Sequence, residues 1–220
     1  MKYNGQNLED KIIWDFFQEN YGSNFKGNVL DLGANDGLFL SNSRVFIENG
    51  WKGILLEASR KVFNRLRNHY SNTNYDYLLI ECAISDKNEF KTFYESHSLI
   101  NSDDYGLAST ILPSELNRWR GKNVKFETYQ VECKTFETIF SKNNEYGINE
   151  NIKLDFISID IEGMDYQILT QIDLTKYGCK CLCVEFNGID KKKYIDYVFK
   201  HNMELYHENG ENLIFTLKNI

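Results

Sequence analysis

Apolar residues recur along this 220-residue chain with two alternating periods, one helical and one strand-like. Leu8, Ile12, Ile13, Phe16 and Phe17 fall on one stripe of a helix, so the spacing predicts an amphipathic helix over 8–21. After Gly22 and Gly27, the short run Asn28 to Leu32 reads as a buried strand. The pattern then predicts a helix over 38–49 stopped by Gly50, a strand over 53–57, a helix over 60–70 and a strand over 77–84. Strands follow over 90–94 and 124–133, and a helix over 136–142. Between those two strands, 96–113 is polar and aperiodic, so 96–122 is expected to form a long loop or lid.

The run Leu154 to Ile159 is almost continuously apolar and ends at Asp160, as a central parallel strand buried on both faces should. A helix over 165–172, a strand over 181–186 and a helix over 191–200 come next. The chain then reads as an antiparallel pair, 203–206 and 212–217, joined through the turn-favouring Asn209-Gly210. Strands and helices alternate, which predicts an α/β protein with a doubly wound sheet. No repeat or linker interrupts the pattern, so 1–220 is expected to be one domain, with 1–25 as a helical N-terminal arm.

Composition narrows the function classes. Hydrophobic residues make up 42% and aromatic residues 15%, enough for a packed core. The net charge of -7 disfavours a nucleic-acid partner, and Lys191-Lys192-Lys193 reads as a solvated helix start. No apolar stretch reaches the roughly 18 residues of a membrane span, and Met1 to Gln6 lack the apolar core of a signal, so a cytoplasmic location is expected. The odd number of cysteines, five, does not suit a disulfide framework. Cys179, Cys181 and Cys183 alternate along a strand, which predicts three buried small side chains on one face rather than a zinc site.

The chemistry concentrates in Val29-Leu30-Asp31-Leu32-Gly33-Ala34-Asn35-Asp36-Gly37. A strand ending in a glycine turn lets a ligand approach the main chain. The spacing is D-x-G-x-x-x-G, without the G-x-G-x-x-G of dinucleotide sites or a Walker lysine, which points to S-adenosylmethionine (SAM) rather than NAD or ATP. Asp31, Glu57 and Asp160 each end a predicted strand, where an open α/β sheet places its ligand crevice. Glu57 lies about 20 residues beyond the turn, at the position of an acid that accepts both hydroxyls of a ribose.

Asp31 to Gly37 together with Glu57 resembles motif I and the acidic motif II residue of class I SAM-dependent methyltransferases. Phe156-Ile157-Ser158-Ile159-Asp160-Ile161-Glu162-Gly163-Met164-Asp165 resembles the D-x-E-G-x-E segment of the FkbM methyltransferase family. Gln6 to Asp10, Val131 to Phe136 and Val184-Glu185 add to the likeness. Ala58 stands where a proline is common and Asp165 where the family usually has Glu; neither departure removes an acid.

The resemblance implies a mostly parallel, seven-stranded, Rossmann-like sheet with an antiparallel C-terminal strand. It implies SAM as cofactor and O-methylation of a hydroxyl on a sugar, glycan or related small metabolite. By this likeness Gly33 and Gly37 admit the methionine end of SAM, Asp31 orients the loop, and Ala34, Asn35 and Asp36 line it. Glu57, followed by Ala58, holds the ribose, and Asp160 closes the cofactor set. Ala83 and Ile84 either flank the adenine, with Ser85 bonding it, or are plain core; Gln6 either reaches over the cofactor or lies on the surface.

Methyl transfer depends on in-line alignment of nucleophile and methyl, and an alcohol must also lose its proton to a base or beside a metal. Asp160 is the first candidate, joined by Glu162 and Glu185. Glu162 reads equally as a negative charge in the first turn of a helix. These three acids could together hold a hard divalent ion, but acids cluster at strand ends without one, and no metal is predicted. His97 is a candidate mobile base or a solvated loop residue, and Asp103, Asp104, Tyr105, Ser109 and Thr110 are candidates for the acceptor pocket. Two other readings stand beside this one. A nicotinamide-dependent oxidoreductase is opposed by the glycine spacing, and a non-catalytic SAM-binding module by the intact acids.

Overall fold

The computed structural model describes residues 1–97, 105–119, 122 and 124–218. In chain order the elements are α1 (Glu9–Tyr21), β1 (Asn28–Leu32), α2 (Arg44–Glu48), β2 (Lys52–Glu57), α3 (Arg60–Tyr70), β3 (Tyr77–Glu81), β4 (Ala83–Ile84) and β5 (Glu89–Ser96). A 3-10 turn at Glu115–Trp119 leads to β6 (Phe126–Lys134), α4 (Phe136–Phe140), β7 (Phe156–Ile159), α5 (Asp165–Leu169), α6 (Leu174–Tyr177) and β8 (Cys181–Glu185). The chain closes with α7 (Lys191–Phe199), β9 (Met203–Glu208) and β10 (Asn212–Leu217).

Seven strands form one sheet in the order β3-β2-β1-β7-β8-β10-β9. Every neighbouring pair is parallel except those made by β10, which runs antiparallel to both β8 and β9. This is the expected α/β sheet with its antiparallel C-terminal strand. Alternate side chains face opposite layers. Val29, Leu55, Phe156 and Cys183 pack against α1, α2 and α3, whereas Leu30, Leu32, Ile157 and Leu182 pack against α4, α5, α6 and α7. Burial on both faces is why β1, β2, β7 and β8 read as apolar runs.

The structure corrects three local expectations and adds one short helix. The helix predicted over 38–49 is only α2. Asp36 Oδ1 accepts the N–H groups of Leu38 (2.9 Å) and Phe39 (2.7 Å), and Leu40 takes a positive φ of 57° to bridge Gly5, so the helical pattern over 38–43 is overridden. The strand predicted over 77–84 breaks at Cys82, beyond which β4 leaves the main sheet. There β4 pairs in parallel with β6, which pairs antiparallel with β5, making a second, three-stranded sheet. Leu8 lies at the N-cap of α1 in a left-handed conformation, 53% exposed, rather than on its apolar stripe. The four-residue α6, capped by Asp173, has too short a period to read from sequence.

The cysteines are free and buried, but they do not share a face. Cys181 and Cys183 pack toward α1 and α2, while Cys179, which precedes β8, packs in the opposite layer. Lys191 and Lys192 pair with Glu208 and Asp196 at the solvated start of α7. Among the described residues no helix is long and apolar enough to cross a membrane.

Candidate active site

Parallel strands expose their carboxyl ends along one edge, and a crevice opens where the strand order reverses. Here the order reverses between β1 and β7, and a cavity of about 250 Å³ lies at that edge. Gln6 and Glu9 wall it from the N-terminal arm. Glu9 is fully buried and accepts from Asn209 (2.7 Å) and Asn212 (2.9 Å), so the arm is fastened to the β9–β10 hairpin.

The glycine turn forms one end of the floor. Gly33 has φ 87°, and a Cβ there would lie 1.8 Å from the carbonyl oxygen of Asp160. Only glycine lets the ends of β1 and β7 meet this closely. The N–H groups of Gly33 and Ala34 donate to Leu56 O, and Asn35 donates its own N–H to Glu57 Oε2 at 3.0 Å. Glu57 Oε1 accepts the Ser59 N–H at 2.6 Å, so its carboxylate is fixed from two sides. Burial pushes its pKa up to about 7 against the pull of those N–H groups, and Glu95 adds to the rise. Burial likewise lifts Asp31 to about 6, although the Ser43 hydroxyl bonds it at 2.5 Å. Beside Glu57 the wall turns apolar: Ala58, Ala83, Ile84, Phe93, Ile111 and Met164.

The second glycine of the motif does something else. Gly37 does not line the cavity; a Cβ there would lie 2.4 Å from Leu66 Cδ1, so this glycine lets the turn pack on α3. Asp36 also lies outside the cavity, where it holds the turn together through Leu38 and Phe39. Ser85 is fully buried and engaged by Lys91 (3.0 Å) and Asp86 (3.1 Å) rather than facing the cavity.

At the other end stand Asp160, Glu162 and Glu185, each offering a carboxylate oxygen, all within 4.8 Å of one another. Asp160 is exposed where it opens to the cavity, yet the protein around it, with Asp165 and Asp31 nearby, pushes its pKa up to about 7. Burial and then Asp160 raise Glu162 and Glu185 well above the usual carboxylate range, opposed by Arg118. The turn that presents Glu162 is left-handed, with φ 55° at Glu162 and 115° at Gly163. Asp165 holds it by accepting from Ile161 (2.9 Å) and Gly163 (3.0 Å). Glu162 therefore precedes α5, and the helix-charge reading falls to Asp165 instead.

Arg118 bonds Glu162 (3.3 Å), Glu115 (3.5 Å) and Asn187 (3.0 Å). Trp119 lines the cavity beside it. Neither Arg118 nor Trp119 carried a sequence signal, because both come from the aperiodic stretch. The buried Glu9 was hidden within an amphipathic helix. Of the loop candidates, Ser109 and Thr110 line the cavity, but Tyr105 does not; its hydroxyl donates to Glu95 at 3.1 Å. His97 is exposed and outside the cavity, its ring 5.7 Å from that of Tyr105 and its N–H extending the strand ladder to Lys125. Asp103 and Asp104 lie outside the described residues.

No curated protein matches the chain. A family model does: the Methyltransferase FkbM domain, over residues 31–211, a span that runs from the acid at the end of β1 to the turn before β10. A match of that extent, over a strand order and a strand-end cavity of this kind, means that the chain belongs to the FkbM methyltransferase family.

Proposed function

We propose that this protein is a SAM-dependent O-methyltransferase whose acceptor is a hydroxyl of a sugar, glycan or related small metabolite. The observation that carries the reading is one cavity joining an apolar slot and a fixed carboxylate to an acid-rich end. When bound, SAM supplies a methyl on a positively charged sulfur, and the O–CH3 bond forms as the S–CH3 bond breaks with its electron pair left on sulfur.

This chain's residues divide the remaining work. Each oxygen of Glu57 accepts one backbone N–H and keeps a lone pair for a ribose hydroxyl. Ala58, Ala83 and Ile84 offer apolar side chains to adenine. Gly33, Ala34 and Asn35 edge the methionine end. Asp160 has no side-chain hydrogen-bond partner among the described residues, which leaves it free to take the proton of the acceptor hydroxyl. The acid-lined end, in a chain of net charge -7, favours neutral acceptors over phosphate-rich ones.

Calorimetry with SAM tests the cofactor half: saturable binding is expected in the wild type, and its absence would overturn the reading. Incubation with SAM and a panel of sugars and glycans tests the acceptor half. The expected product is a methyl ether with stoichiometric S-adenosylhomocysteine; SAM binding without transfer to any hydroxyl would favour a non-catalytic SAM-binding role.

A further inference from the structure

We infer that Asp160, Glu162 and Glu185 hold one hard divalent cation of the magnesium, manganese or calcium class. This departs from the sequence-based expectation of no metal, and it rests on the proposed function only for the ion's role, not for its binding.

Two observations that need not occur together point the same way. The first is geometry. Oxygens on opposite sides of one ion lie about 4.6–5.2 Å apart at calcium-type distances and about 4.0–4.2 Å apart at magnesium-type distances. Three oxygens spaced evenly around one ion would be about 4.0–4.5 Å apart at calcium-type distances and about 3.5–3.6 Å at magnesium-type distances, so carboxylates that already fall within 4.8 Å need at most a modest contraction for calcium and a larger one for magnesium. They come from the ends of two adjacent strands and the turn after β7, a rigid frame for ligands.

The second observation is an unmet polar group. Glu185 is 7% exposed, lines the cavity, and its Oε2 has no hydrogen-bond partner among the described residues. Asp160 beside it is exposed to the cavity and makes no side-chain hydrogen bond to the described residues. The guanidinium nearby does not serve them: the bonds Arg118 makes go to Glu162, Glu115 and Asn187, none to Asp160 or Glu185. Glu185 is buried beside two further carboxylates with one arginine between them, and a buried carboxylate ionises only at a cost unless it is paired. A hard cation with oxygen preference supplies what is missing. A hydroxyl oxygen joining it as a further ligand would have its pKa lowered, with its proton passing to the second oxygen of Asp160.

Titration of the full chain with Mn2+, followed by electron paramagnetic resonance without SAM, tests the site. One saturable Mn2+ per chain is expected, displaced by Mg2+ or Ca2+, and weakened at least about tenfold in Glu185→Gln and in Glu162→Gln. Calorimetry of SAM with the same variants shows whether the cofactor end is still folded and competent; unchanged SAM affinity is expected. Absence of saturable Mn2+ binding up to about 1 mM overturns the inference, as does wild-type Mn2+ affinity in both variants. If Mn2+ fails to bind while both variants lose SAM affinity, the acids serve the cofactor's own positive charge and the inference is again overturned. Failure of SAM to bind the wild type would count against the proposed function alone, because the Mn2+ titration contains no SAM.

Discussion

The carboxylates at the glycine-turn end of the cavity differ from those at the β7–β8 end in what they bond. Glu57 accepts two backbone N–H groups and Asp31 accepts a serine hydroxyl, so both are oriented before any ligand arrives. Asp160 and Glu185 Oε2 have no such partners among the described residues, and Glu162 shares a single arginine. The contrast separates a region built to fix a shape from one left free to act on a substrate or ion. Preorganised acceptors suit recognition of a constant cofactor, whereas unsatisfied ones suit chemistry.

The sharpest way to break this comparison is Asp160→Asn, which keeps the shape and removes the charge. The turnover number should fall by about 10²–10⁴-fold while SAM affinity, measured by calorimetry, stays near wild type. Next in size, Glu57→Ala should weaken SAM binding by about 30-fold or more, the worth of one or two charge-assisted hydrogen bonds, with calorimetry again the measure. Equal effects of the two substitutions on SAM affinity would erase the distinction between the ends.

Gly37→Ala sharpens it differently. Steric conflict with Leu66 should cost about 1–3 kcal/mol in denaturant unfolding, with SAM affinity of the folded protein unchanged. The smallest effect concerns pH. Burial raises Glu57 from 4.5 to about 7 and Asp31 from 3.8 to about 6, so the folded protein keeps protons that the unfolded chain has lost. Stability from these two groups is therefore greatest at the acid side of that window and declines as pH rises through it. Thermal melts without ligand should show a lower midpoint at about pH 7.5 than at about pH 5, and the gain on adding SAM should be larger at the higher pH, where Glu57 is ionised.

How legible all this was in the sequence follows from the range of the interactions. β1, α3 and the β9–β10 hairpin came out because their signals are local: an apolar run, a helical stripe, an Asn-Gly turn. Glu57 and Asp160 were visible because a strand end is a position that sequence can give. Residues 38–43 were misread because a bridge to Gly5 outweighs helical period, and that contact spans the chain between two elements. The fate of Ala83-Ile84 was hidden for the same reason, since their partner strand begins more than forty residues later. Gly33 and Gly37 look alike in a motif, yet one admits the end of a neighbouring strand and the other a helix, which only their neighbours decide. His97 is a candidate by its chemistry, but its place just past the end of β5 puts it outside the cavity.

One hydroxyl couples parts of the molecule that otherwise look independent. Ser59 caps α3 by accepting from Val62, its hydroxyl donates a hydrogen bond to the buried Glu95 of the small sheet, and its N–H holds Glu57. Damage in the three-stranded sheet should thus be felt as poorer cofactor retention far from where it occurs. A variant hunter screening only cavity-lining positions would overlook β5, the strand through which the wider scaffold can tune the pocket.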